Sequence, residues 1–376
     1  MKVRLFKPSV GEEEIQSIQK AFDAAWLGLG ARVGEFEQKW SQYIGCADSV
    51  GVNSCTAALH LALSAFRFPK GKKVLVPVMT FAATAIAVLY NQLIPVFVDV
   101  DEHTLGISLE DLERKHDKDC VAVIPVHFAG HPVPMDQLMK WAKSRNLKVV
   151  EDTAHSAGGK YQGKALGTWG DLGCFSFEEK KCMTTGDGGM ISSHDPELLK
   201  PLRHSRWVGI NKDTWERYEE NASNNQEANS WYYEISDIGY KYNMNDLMAS
   251  IGLAQLEKLD RMNRRREAIL QQYLTGLQQN TDVRSAVPYV LQDSSYWAFV
   301  VRVRDRDRFI VHMKEREVAT GVHYMPLTMH PLFRPYVSET PTALSIWREL
   351  VTLPLFPDLT DEQVEYVLSV IHDYRA

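Results

Sequence analysis

Paired cysteines are missing from this sequence. Its five cysteines, Cys46, Cys55, Cys120, Cys174 and Cys182, are scattered, and no two form a C-x-x-C pair. That excludes a zinc ribbon or a redox dithiol, and free thiols point to a reducing compartment. Long basic runs are missing too. The longest is the "RRR" of Arg264 to Arg266, which lies in a helical pattern and reads as a solvated face. With 42 Lys and Arg against 48 Asp and Glu, the net charge of −6 gives no footprint for a nucleic acid. No stretch approaches the roughly 18 apolar residues of a membrane span, and "MKVRLFKPSVGEEEI" lacks an apolar signal core. Internal repeats and low-complexity tracts are absent. The expectation is a cytoplasmic protein with no membrane and no nucleic-acid partner.

What is present is an α/β pattern. At 376 residues the chain exceeds the size at which one core stops growing, so a large and a smaller domain are expected. "PSVGEEEIQSIQKAFDAAW" reads as a capped amphipathic helix. From Ser49 the chain alternates. The apolar runs "KKVLVPV", "IPVFVDVD", "CVAVIPVHF" and "LKVVED" are separated by helical patterns such as "TFAATAIAVLYN" and "MDQLMKWAKSRN". Such alternation implies parallel strands covered on both faces, with ligands at the edge where the strands end. A polar segment, Asn211 to Ser230, reads as a loop or lid. A long helical pattern from "NMNDLMASIG" then leads to a shorter alternating C-terminal region.

Two motifs are set aside. "GLGARVGEF" follows a helix rather than a strand, with the wrong spacing for a dinucleotide loop. "HFAGH" places His127 and His131 four apart, but Gly130 and Pro132 break any helix and no glutamate lies between them. No metal site is expected.

Three features fall at predicted strand ends. In "NSCTAALH", small polar residues open a helix whose free N–H groups and dipole suit a phosphate. In "VVEDTAHS", Asp152 ends an apolar run, placed to hold a cationic partner, and His155 follows three residues on. In "SFEEKKCMTTGDGG", two lysines stand between a strand and a glycine-rich turn. A lysine in a dehydrated pocket loses proton affinity and adds to an aldehyde. Singly, each feature has an ordinary structural reading: a helix cap, an ion pair, a solvated lysine. Together, a phosphate site, a carboxylate for a ring nitrogen and a lysine for an aldehyde describe pyridoxal 5′-phosphate.

The sequence resembles the nucleotide-sugar aminotransferases of the DegT/StrS family nearly end to end. The likeness is carried by "NSCTAALHLAL", "PVMTFAATA", "PVHFAGHPVPMD", "VVEDTAHSAGGKYQGKALGTWGDLGCFSF", "TTGDGGM", "GYKYNMNDLMASIGLAQLEKLD" and "LPLFPDLTDEQ". The resemblance implies a fold-type-I aminotransferase. A large domain, residues 1–245, would hold a mixed, mostly parallel sheet flanked by helices. Residues 246–376 would form a long connecting helix and a smaller α+β domain.

The family's S-F-x-x-x-K pattern puts the Schiff-base lysine at Lys181, with Lys180 as a solvated or ion-paired neighbour. Asp152 matches the partner of the pyridinium nitrogen, His155 the residue near the ring hydroxyl, and Phe81 the aromatic stacked on the ring. Cys55, Thr56 and Ser176 match the phosphate-holding positions, with the Cys55 backbone N–H expected to serve rather than its thiol. The family completes the phosphate site from a second subunit, which implies a homodimer and brings Lys241 and Asn243 of "GYKYNMN" into consideration. His323 matches a loop near the sugar nucleotide. The implied reaction moves an amino group from L-glutamate to a nucleotide-linked ketosugar, at C4 in preference to C3, for a surface polysaccharide, lipopolysaccharide O-antigen or glycosylated metabolite. The rivals are a sugar dehydratase, disfavoured because its lysine position is histidine, and a non-catalytic sugar-nucleotide-binding regulator.

Overall fold

In a computed structural model of the chain, residues 1–212, 215, 217, 231–291 and 295–375 are described. The first five strands, β1 (Asp48–Val52), β2 (Lys73–Pro77), β3 (Ile94–Val98), β4 (Cys120–Val123) and β5 (Lys148–Asp152), alternate with helices. A short hairpin follows, β6 (Lys160–Tyr161) and β7 (Lys164–Ala165), then β8 (Leu172–Ser176) and β9 (Gly189–Ser193). Seven of these strands form one sheet in the order β1-β9-β8-β5-β4-β2-β3. Strand β9 runs antiparallel to both neighbours, whereas β8, β5, β4, β2 and β3 pair in parallel. The sheet is therefore mixed and mostly parallel, as expected of fold type I.

Helices α1 (Glu12–Asp23), α2 (Ala31–Ile44), α3 (Cys55–Ser64), α4 (Ala83–Tyr90), α5 (Leu109–Lys115), α6 (Met135–Ser144) and α7 (Pro196–Ser205) flank it. Strands β8 and β9 are buried throughout their length, which is why they read as apolar or small-residue runs without alternation. Trp40 of α2 anchors this layer edge-on to Phe175 and Phe177, at ring separations of 4.9 and 5.1 Å.

Helix α8 (Asp246–Gly276) runs from the first hydrophobic cluster into a second, where Ile269, Leu270 and Tyr273 are buried. A three-stranded antiparallel sheet lies there: β10 (Val283–Ser285), β11 (Phe299–Val303) and β12 (Leu350–Leu353). Helices α9 (Arg306–Glu315), α10 (Pro341–Ile346) and α11 (Asp361–His372) complete the C-terminal region. The chain start joins this second cluster, with Val3 buried and paired to Val318. No helix among the described residues is long and apolar enough to cross a membrane.

One sequence expectation fails here. Arg264 to Arg266 is not a solvated face. Arg264 is exposed and Arg265 pairs with Asp361 at 2.8 Å, but Arg266 is only 4% exposed. Consecutive helical residues are turned by about 100°, so three in a row cannot share one face. Most of the Asn211 to Ser230 segment lies outside the described residues.

Candidate active site

Strand β1 ends at Val52, and Ser54 caps α3 by accepting a hydrogen bond from the Ala57 N–H at 3.1 Å. The N–H groups of Cys55 and Thr56, in the first turn, have no intrahelical acceptor and present the positive end of the dipole. The start of β9 closes against this turn. A Cβ on Gly189 would lie 2.6 Å from the Ser54 carbonyl carbon and 2.7 Å from the Cys55 nitrogen, so glycine allows the approach. Burial pushes the Cys55 thiol well above its ordinary pKa, so the thiol stays neutral. Ser176, at the end of β8, accepts from the Glu178 N–H at 3.4 Å.

Asp152 ends β5 and is 4% exposed. Its Oδ2 accepts from the Thr84 hydroxyl at 2.8 Å and its Oδ1 from the Ala154 N–H at 3.1 Å. Burial raises its pKa, while Thr84, Ala154 and the Lys181 charge oppose the rise. The two lysines of the β8–β9 connection differ sharply. Lys180 has a half-exposed side chain with Nζ 3.7 Å from Glu178. Lys181 is turned inward, its Nζ 4.4 Å from the centre of the Trp297 ring. Burial lowers its pKa against the pull of Glu178, Cys55 and Asp152.

His155 stacks on Trp297 at 4.2 Å with planes 7° apart, and its Nε2 lies 3.1 Å from the Tyr324 hydroxyl. Its Nδ1 is buried with no hydrogen-bond partner, and burial keeps the ring neutral. His323 meets the Thr352 hydroxyl at 2.8 Å, and burial lowers its pKa to about 4. Phe81 is 59% exposed, so it serves no core and stands at the mouth of the site.

Cys55, Thr56, Phe81, Asp152, His155, Ser176, Lys181 and His323 all line one cavity of about 400 Å³. Lys241 and Asn243 do not. Lys241 lies over the Trp207 ring at 3.0 Å, and Asn243 pairs with Val52 and donates to the Met244 carbonyl. Sequence reasoning missed Phe6, Trp297 and Tyr324 in the same wall. "YWAFVV" and "GVHYMP" carry two of these aromatics, but nothing local marks which aromatic turns toward a distant sheet edge. His127 and His131, four apart, go separate ways, to Glu151 and to the Pro288 carbonyl, each at 3.2 Å.

The residues fit pyridoxal 5′-phosphate. An anion cradle, a buried carboxylate with no cation at ion-pair distance among the described residues, an amine of lowered pKa and an unsatisfied His155 nitrogen surround one cavity. Residues 8–372 match the DegT/DnrJ/EryC1/StrS aminotransferase family. The chain belongs to this family. It is a sugar aminotransferase that depends on pyridoxal 5′-phosphate. Among its relatives is the spore coat polysaccharide biosynthesis protein SpsC of Bacillus subtilis, 36% identical over 97% of this chain and 95% of that protein. GDP-perosamine synthase of Escherichia coli O157:H7 is 31% identical over 100% and 99% of the two chains. Among solved structures, DesV of S. venezuelae in complex with a ketimine intermediate superposes with a TM-score of 0.87 at 29% identity, covering 97% and 95%.

Proposed function

We infer that this aminotransferase carries an amino group from L-glutamate to C4 of a nucleotide-linked keto-deoxysugar, with Lys181 as its catalytic amine. The observation that carries the reading is the inward-turned Lys181 amine, its pKa lowered by its surroundings, in the same cavity as the buried Asp152 carboxylate. Bound pyridoxal 5′-phosphate supplies a place to store an amino group and the electron pair left when a Cα–H bond breaks.

The residues divide the work. The Cys55 and Thr56 N–H groups, with Ser176, hold the phosphate. Asp152, whose ionised form Thr84 and Ala154 favour against burial, holds a proton on the ring nitrogen. His155, fixed between Trp297 and Tyr324, offers its free Nδ1 to the ring hydroxyl. Phe81 covers one ring face and excludes water. Lys181, as a neutral amine, would take the proton from the donor Cα and give it back on the far side of the transferred nitrogen, which requires an amine of lowered pKa. His323 stands where the sugar nucleotide enters. In the homodimer, Lys241 or Asn243 of a second copy completes the phosphate site. The C4 preference, the glutamate donor, the cytoplasmic location and the division into residues 1–245 and 246–376 belong to the same reading. They are supported by the family resemblance.

The test is to load the protein with pyridoxal 5′-phosphate, reduce it with borohydride and map the modified peptide by mass. The added mass is expected on Lys181, and L-glutamate alone is expected to give stoichiometric 2-oxoglutarate. A modified Lys180, or a protein that takes up no cofactor, would sink the proposal. Trials with UDP-, dTDP- and GDP-linked 3-keto and 4-keto deoxysugars then decide the acceptor.

A further inference from the structure

Arg266 is a buried guanidinium that the mechanism above does not use. It is 4% exposed, its Nε has no hydrogen-bond partner, and no carboxylate among the described residues lies within ion-pair distance. Its two contacts are Nη1 to Asn263 Oδ1 at 3.1 Å and Nη2 to the Lys181 carbonyl at 3.5 Å. Burying an unpaired charge costs several kcal/mol, so an arginine here is expensive as a filler of space.

Its place on α8 explains what it faces. Gln255 and Arg266 stand eleven residues apart, three helical turns, and so share a face. Gln255 Oε1 accepts from the Thr184 N–H at 3.2 Å, and Arg266 reaches the Lys181 carbonyl three residues earlier. Asn263, between them on that face, is tied to the Ala157 carbonyl at 3.1 Å. Helix α8 thus backs the lysine loop from behind, while the cavity lies in front.

We propose that Arg266 is a positioning residue for Lys181: it holds the lysine's carbonyl, and its positive charge, with no carboxylate at ion-pair distance among the described residues, keeps the lysine amine in its neutral form. This rests on Lys181 being the catalytic amine. The groups facing Lys181 pull in both directions. Asp152, Glu178, Cys55 and Cys182 favour the ammonium, whereas burial opposes it. His155 and His323 feel the lysine charge but are themselves held neutral by burial. Arg266 is a permanent cation behind the loop, faced by Cys182 and, beyond ion-pair distance, by Asp358, which is itself paired with Lys7 at 2.9 Å, and like charge disfavours a second cation.

The experiment uses the full chain without cofactor, so it does not depend on turnover. Trace acetylation with acetic anhydride across pH, mapped by peptide mass, gives the midpoint at which the Lys181 amine becomes reactive, with exposed Lys180 as internal reference. Arg266→Met is expected to raise the Lys181 midpoint by about one pH unit, leaving Lys180 unmoved and thermal stability equal or higher. Arg266→Gln, which keeps a donor without the charge, is expected to do the same and serves if the Met variant does not fold. Arg266→Lys is expected to stay close to wild type. An unmoved Lys181 midpoint in folded Arg266→Met or Arg266→Gln overturns the proposal, as does an equal rise in Arg266→Lys. The borohydride mapping on wild-type protein is scored separately: a Lys180 adduct removes the assignment of the catalytic amine, whereas an unmoved midpoint removes only the role of Arg266.

Discussion

Replacing Thr84 by Val tests how Asp152 is kept charged. The Thr84 hydroxyl donates to Asp152 Oδ2 at 2.8 Å, and both side chains are buried. Valine fills nearly the same space but cannot donate, which leaves the carboxylate with only the Ala154 N–H at 3.1 Å. A hydrogen bond to a charged group contributes about 1.5–3 kcal/mol, so the ionised form of Asp152 is weakened by that amount. If ionised Asp152 pairs with a protonated ring nitrogen, cofactor affinity falls by roughly ten- to hundredfold. The assay should avoid the bond to Lys181. Pyridoxine 5′-phosphate, which has the ring and phosphate but no aldehyde, can be titrated into apo-protein by fluorescence quenching. The decisive comparison is a double-mutant cycle. In an Asp152→Asn background the carboxylate is gone, so Thr84→Val should cost almost nothing further. Affinity within twofold of wild type in folded Thr84→Val, or an equal loss in both backgrounds, refutes the argument. Some folding stability, about 1 kcal/mol, is also expected to go, because the buried Thr80 hydroxyl loses its 2.9 Å partner.

Two further outcomes are expected. Phe81 is too exposed to support the core, so Phe81→Ala should change folding stability by less than about 0.5 kcal/mol. It should nevertheless weaken pyridoxine 5′-phosphate binding about fivefold through lost ring stacking, and a stability loss with unchanged affinity contradicts this. His323, with a pKa held near 4 by burial and by the charges of Lys181 and Lys180, makes stability depend on pH. Between its folded value of about 4 and its ordinary value of 6.5, the unfolded chain binds a proton that the native state does not. Stability therefore falls as pH drops through that window, by up to about 3 kcal/mol. Urea unfolding of His323→Gln should show a shallower decline than wild type, with His155 keeping a residual slope of the same sign. Identical slopes show that His323 does not titrate in this way.

The legible part of the molecule was local in sequence. Strands β2 to β5 announce themselves because burial on both faces demands continuous apolar runs. The anion turn at Ser54 and the carboxylate at Asp152 follow from where those runs stop. The walls of the cavity were not legible. Trp297 and Tyr324 reach it from more than a hundred residues beyond Lys181, and Phe6 from the chain start. Such contacts depend on how the C-terminal region packs on the large sheet, which periodicity does not encode. Nor could pattern alone separate Lys180 from Lys181. Their opposite environments arise from a turn in which the Lys181 N–H bonds the Glu178 carbonyl while the Lys180 carbonyl accepts from the Trp297 indole at 2.8 Å. The family pattern, not the local chemistry, picked one of the two in advance. Arg266 was hidden for a similar reason, as one of three identical neighbours pointing three ways.

The single reversed strand in the large sheet has a consequence for how firmly the lysine is held. Had β9 run parallel to β8, the connection between them would need a dozen or more residues crossing back over the layer, usually as a helix. Because β9 turns back beside β8, residues 177–188 begin and end at the same rim. The Phe177 N–H bonds the Gly188 carbonyl and the Thr185 N–H bonds the Phe177 carbonyl, both at 2.9 Å, so the loop is stitched shut at its base. A side chain on a closed loop of this kind can swing about its own bonds without the backbone travelling. An amine that must leave one partner, shuttle a proton and return to its starting point is well served by such a tether, with a long flexible stem on a short fixed post.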